Sequence, residues 1–155
     1  EKNLGTLAGV MKTQAGFMNG AEVVKVTYDA AQLKEEELIS FAAEKRCADG
    51  VFTNDQREQK AAKKLKIRTK KKGKFRADNQ PKYYTFNSAY KYIPMTSLQA
   101  LKVNSDLAQR IVPDAHLSPR PLELLEQLRA QKVSTPIMID QDFVQSWNNT
   151  VLSKS

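Results

Sequence analysis

Cys47 is the single thiol of a 155-residue chain and stands in Lys45-Arg46-Cys47-Ala48-Asp49. Neighbouring cations favour the thiolate, the nucleophilic form of sulfur, and a carboxyl such as Asp49 becomes a proton donor where burial holds its proton. Together they are residue types of thiol chemistry in general. A lone cysteine at a helix end also fits a plainer use as a small buried hydrophobe. One cysteine allows neither an internal disulfide nor a cysteine-rich zinc site, and His116, the one histidine, completes no histidine cluster. No metal and no bound cofactor are expected, and His116, lying between Pro113 and Pro119, is expected to be structural or exposed rather than catalytic.

A second chemistry is electrostatic. The net charge is +8, from 25 cations and 17 acids. Lys60, Lys63, Lys64, Lys66, Arg68, Lys70, Lys71, Lys72, Lys74 and Arg76 follow one another with no acid between them. Without that stretch the balance turns slightly negative, so the positive charge belongs to one segment. Tyr83, Tyr84, Tyr90 and Tyr92 come shortly after it. Aromatic faces beside a phosphate-binding strip suit single-stranded nucleic acid, with the cations from Lys64 to Arg76 on the backbone and Tyr83 and Tyr84 under the bases. The plainer alternative is a solvated lysine loop next to tyrosines that pack with a wet hydroxyl.

The elements that must position these groups follow from local pattern. Gly9 to Phe17 alternates at strand period, Asn19-Gly20 tolerates the positive φ of a tight turn, and Ala21 to Tyr28 carries Val23, Val24 and Val26. These residues predict a β-hairpin. Leu33 to Arg46 puts Leu38, Ile39, Phe41 and Ala42 on one stripe, with Glu35, Glu36 and Glu37 at the positive end of the helix dipole. The apolar step Val51-Phe52 meets Thr53-Asn54-Asp55, a capping cluster for a helix over Gln56 to Leu65, from which the basic run continues into a loop. Lys82 to Phe86 reads as a strand after Pro81. Thr96 with Gln99 forms a capping-box pattern for a helix from Ser97 to Arg110, and Ser118-Pro119 opens another to Gln131.

Gly9 to Gly20 (GVMKTQAGFMNG), running into Ala21 to Asp29 (AEVVKVTYD), then Glu36-Glu37-Leu38, Val51-Phe52-Thr53-Asn54 and Glu58-Gln59-Lys60, resembles peptide methionine sulfoxide reductase of the A type. The likeness covers about residues 1 to 65, is vague over 82 to 104, and does not extend to the last third. It implies a two-layer, ferredoxin-like α+β sandwich and reduction of methionine S-sulfoxide by a cysteine thiolate: the thiolate attacks, the departing oxygen is protonated, and a further thiol discharges the sulfenic acid left behind. It also implies Cys47 as nucleophilic or resolving thiol and an external thiol such as thioredoxin or glutathione as reductant. The family's Gly-Cys-Phe-Trp nucleophile motif is not in this sequence. The resemblance therefore implies a nucleophile upstream of Glu1, with Glu1 just past it and Cys47 as resolving thiol. Also missing are the insertion that carries the family's proton-donating acid and the His-Asp-Pro and Gln-Gly-Asn-Asp loop. Phe17 stands where the family has an active-site tyrosine, which implies a wall of the substrate pocket without a proton to give, and Asp49 is the other substrate-side candidate.

The expected organisation is an α+β domain over 1–94 with the basic segment at 60–80, a mainly helical extension over 95–132, and a tail over 133–155. Six glycines, six prolines and 41% hydrophobic residues exclude collagen-like and low-complexity chains. No apolar run approaches the ~18 residues of a membrane span, so a soluble protein is expected, in a compartment left open between cytoplasm and export. The leading expectation is thiol-dependent reduction of methionine sulfoxide, free or in an oxidised protein. The alternative is a catalytically silent relative that binds nucleic acid or an acidic protein through the basic segment.

Overall fold

The computed structural model describes residues 1–131, so the expected tail over 133–155 lies outside the described residues. The fold is mixed α+β and divides into two units, Asn3–Asn79 with Glu1, and the chain from Gln80 onward with Lys2. Among the described residues no helix is long and apolar enough to cross a membrane.

The first unit opens on the hairpin. Strand β1 (Val10–Met18) turns through Asn19 at φ 50° and Gly20 at φ 79° into β2 (Ala21–Tyr28). Positive φ at both central residues gives the turn the twist the two strands require. Pairing runs antiparallel from Met18 with Ala21 to Val10 with Tyr28, with a bulge between Val10 and Lys12. Strand β5 (Arg76–Ala77) joins the other side of β1, giving the order β2-β1-β5. Gly16 makes that approach possible, because a Cβ there would lie 2.4 Å from the Arg76 carbonyl and 2.6 Å from the Phe75 ring.

Helix α1 (Glu35–Glu44) begins with the Glu37 carboxylate accepting from the Lys34 N–H at 2.9 Å. Strand β3 (Gly50–Phe52), helix α2 (Gln56–Lys64) and strand β4 (Arg68–Lys70) then form a parallel β-α-β unit. Asp55 caps α2 as expected, accepting from the Arg57 N–H at 2.7 Å. Ile39, Ala61 and Ala62 are buried together, with Val51, Leu65 and Ile67 packed against them. The basic run is therefore not simply a loop: β4 and β5 both lie within it. Lysines are poor strand formers, but pairing with β3 and β1 satisfies the backbone while the side chains stay in water, so tertiary pairing overrides propensity.

The second unit holds α3 (Tyr83–Phe86), α4 (Ser97–Ala108), α5 (Pro119–Gln131) and two short 3-10 turns. The expected strand over Lys82–Phe86 is instead a helical turn. Its N-terminus is capped from α4, where Asn104 Oδ1 accepts from the N–H groups of Tyr84 at 3.1 Å and Thr85 at 3.3 Å. Tyr90, Ile93, Met95, Val103, Leu117 and Leu125 belong to one core cluster. Because Tyr90 and Ile93 pack there, the division falls after Asn79, whereas the sequence reading places a boundary at 94. His116 is structural in geometry, its Nε2 lying 2.8 Å from Asp106 Oδ2.

Candidate functional site

The end of α1 sets the position of Cys47. Arg46 takes φ 51°, its N–H donates to the Ala43 carbonyl at 2.9 Å, and the Cys47 N–H reaches back to the Ala42 carbonyl at 3.0 Å. This pair of bonds is a Schellman ending, which satisfies the last carbonyls of a helix and turns the chain away. The Cys47 thiol donates to the same Ala42 oxygen at 3.2 Å. At the matching place after α2 stands Ile67, whose N–H meets Ala62 at 2.8 Å and whose side chain packs on the α1–α2 cluster. Cys47 is exposed, so the reading of a small buried hydrophobe does not hold.

What Cys47 borders is a cavity of about 590 Å³ within the first unit. Its apolar wall comes from three directions: Val23, Val24 and Val26 of β2, Leu38 and Ile39 of α1, and Val51 and Phe52 of β3. Glu1 and Met18 line it as well. The thiol, the first residue and the hairpin thus meet at one cavity. Five carboxylates (Glu1, Glu22, Glu35, Asp49, Glu58) and three ammonium groups (Lys25, Lys70, Lys72) also border it, so its charge suits a zwitterionic or neutral guest better than a polyanion.

Two of the expected residues take other places. Phe17 lies outside the cavity wall, with the Arg76 guanidinium 4.9 Å from its ring; adjacent residues of a strand face opposite ways, and it is Met18 that lines the cavity. Asp49 does line it, but its side chain is 88% exposed and paired with Arg68 at 2.6 Å, which is not the burial a proton-donating carboxyl needs. The sequence reading missed Tyr28. This residue ends β2 in the cavity wall, and its phenol is pushed above its ordinary value by burial and then by the Glu35 carboxylate. It therefore keeps its proton and offers a hydroxyl donor. A tyrosine closing a valine-rich strand is the sequence signal that was available for it.

The basic residues from Lys60 to Arg76 are all exposed. Lys64 pairs with Glu36 at 2.7 Å, Lys70 sits 5.3 Å from the Phe52 ring, and the Lys71 carbonyl accepts from Asn19 Nδ2 at 3.1 Å. Lys66 takes φ 57° at the end of α2. Tyr83 and Tyr84 fall in the second unit, edge to face at 5.2 Å, with Tyr83 71% exposed. Tyr90 is buried and used structurally: its hydroxyl donates to Asp114 at 2.5 Å and accepts from Arg129 at 3.0 Å. Among the described residues no group of three or more histidine, cysteine or acidic side chains is placed to hold a metal. Compared with protein-family models, curated proteins and solved structures, the chain matches none.

Proposed function

We propose that this chain is a thiol-dependent reductase of methionine sulfoxide, built on a ferredoxin-like sandwich in which α1 and α2 form the helical layer. The observation that carries the reading is the exposed Cys47 thiol at the rim of an apolar cavity. A methionine sulfoxide side chain is apolar except at S–O, so the valine and isoleucine wall takes its methylenes while a hydroxyl donor meets its oxygen. Tyr28, in the same wall as Glu1, supplies that donor.

The Cys47 thiolate attacks the sulfoxide sulfur, the oxygen passes to the cysteine as sulfenic acid, and the thioether leaves. An external thiol, thioredoxin or glutathione, then displaces the oxygen as water and forms a mixed disulfide. A second thiol resolves it, so the two electrons come from a dithiol oxidised to disulfide. The resemblance also allows Cys47 to be the resolving thiol of an upstream nucleophile, and Cys47→Ser separates the two roles. An attacking Cys47 predicts no turnover in the variant, and a resolving one predicts a single-turnover burst without steady state. Full steady-state activity in the variant removes Cys47 from the chemistry, and a wild-type protein carrying any residues that precede Glu1 and inert with every thiol donor ends the reductase reading.

The exposed cations from Lys60 to Arg76 favour a second reading, a silent relative that binds an anionic partner on that outer surface. Such binding weakens steeply with salt, by about tenfold or more for several phosphate contacts. Turnover driven by Cys47 does not share that dependence.

A further inference from the structure

We propose that the cavity takes its substrate as a β-strand: an isolated, extended peptide segment that inserts between the free edges of β2 and β3 and bonds to both. The proposal rests on the reductase reading for the side chain it delivers, and on backbone geometry for the rest.

The hairpin register settles which backbone groups of β2 have no strand beside them among the described residues. Met18 faces Ala21 across a two-residue turn, so that pair exchanges both hydrogen bonds, and the pattern alternates from there along the strands. Ala21, Val23 and Lys25 therefore point their N–H and C=O groups at β1, and Glu22, Val24 and Val26 point theirs away from it. On the far side of β1, the Asp78 N–H donates to the Ala15 carbonyl at 2.9 Å, which confirms the alternation.

The same reasoning applies to β3. The Thr53 N–H donates to the Lys70 carbonyl at 3.0 Å, so Thr53 and Val51 face β4, and Gly50 and Phe52 face away. All five outward-facing residues line the one cavity. A strand placed there, at the ~4.8 Å spacing of neighbouring strands, would bond to the outward groups of both.

The geometry also selects the occupant. A slot between two open edges takes a strand whose own two edges are both free. A second copy of this chain cannot supply one from β2, whose inner edge is already on β1. Nucleic acid lacks the alternating amide pattern and meets a wall with more carboxylates than ammonium groups. A polypeptide segment with alternate apolar side chains meets both conditions, in the manner of strand addition. Cys47 lies three residues before Gly50 on the cavity rim, so a side chain near the end of the inserted strand reaches the thiol. The substrate class is thus methionine sulfoxide within an extended stretch of protein rather than the free amino acid.

The test uses the 155-residue chain with dithiothreitol and three probes. These are a capped six-residue peptide of alternating valine and threonine with methionine sulfoxide at its third position, the same peptide N-methylated at alternate amides, and free methionine sulfoxide. Amide hydrogen exchange at Val24, Val26 and Phe52 should slow by about tenfold or more with the first peptide and not with the other two, and turnover should follow the same order. Val24→Pro removes an outward N–H at a strand edge, where proline is tolerated, and should weaken peptide binding without loss of the circular-dichroism spectrum. Protection without turnover keeps the slot and ends the reading of Cys47 as the attacking thiol. Equal turnover of all three probes without protection keeps the reductase and overturns strand addition. Amides protected before any peptide is added mean that another segment already occupies the edges, which overturns the peptide as occupant.

Discussion

In the unit from Gln80 onward, Ile93, Val103 and Leu125 are fully buried in a single cluster with Leu117 and Leu124. In the unit from Asn3 to Asn79 the buried apolar groups are smaller and divided. Ile39, Ala61 and Ala62 lie between the helices, while Leu4, Val10, Met18 and Leu33 lie around the hairpin, and a cavity lined from β2, α1 and β3 opens in the same unit. The contrast teaches where stability and chemistry are held. A closed core leaves no room for a guest, and an open one surrenders burial free energy to make room.

Breaking the closed core should have the largest effect. Leu125→Ala removes a side chain with no exposed surface and should cost ~2–5 kcal/mol in urea unfolding followed by circular dichroism; a cost under about 1 kcal/mol would mean the cluster does not carry the unit.

Next in size is an alkaline effect in the same unit. The Tyr90 phenol is pushed up from 10.0 to about 12 by burial and by its bond to Asp114. A folded-state value above the unfolded one gives stability that is complete below pH 10 and lost as pH rises towards 12, because the unfolded chain gives up the proton first. Wild type should lose about 2 kcal/mol from this group by pH 11.5. Tyr90→Phe should abolish that component while costing about 1 kcal/mol at neutral pH. Parallel stability curves for the two proteins between pH 8 and 11.5 would refute the assignment.

In the open unit the effects are smaller and one has the opposite sign. Arg46 holds φ 51° at the end of α1, a conformation that suits glycine better than a residue with a Cβ. Arg46→Gly should raise thermal stability by about 0.5–1 kcal/mol and leave Cys47 in place, with turnover as the check. Val24→Thr, on a residue 36% exposed, should change stability by no more than about 0.5 kcal/mol while keeping its outward N–H. A large loss there would show that the strand edge is part of a core after all.

The hairpin was legible because Asn19-Gly20 and the valines of β2 act over a few residues. So was the start of α4, where Thr96 and Gln99 exchange bonds, the Thr96 N–H donating to Gln99 Oε1 at 2.9 Å and the Gln99 N–H to Thr96 Oγ1 at 3.3 Å. Cys47 could be singled out by residue type alone, and its link to the hairpin was only an expectation. The misread stretches share a different cause. Residues 82–86 turn helical because of Asn104, and the lysines of β4 pair because β3 lies beside them.

Chain order and side-chain type were enough to determine the α+β class, the starts of α2, α4 and α5 and the one thiol, because propensities, caps and tight turns are settled within about four residues. Tertiary structure decided what those elements enclose. The cap on α3 spans 20 residues and the Arg129–Tyr90 bond spans 39. Residues of β2 and β3 line one cavity only when chain segments more than 20 residues apart come together. Such contacts leave no local trace, since either partner alone looks like an ordinary surface residue until the other is beside it.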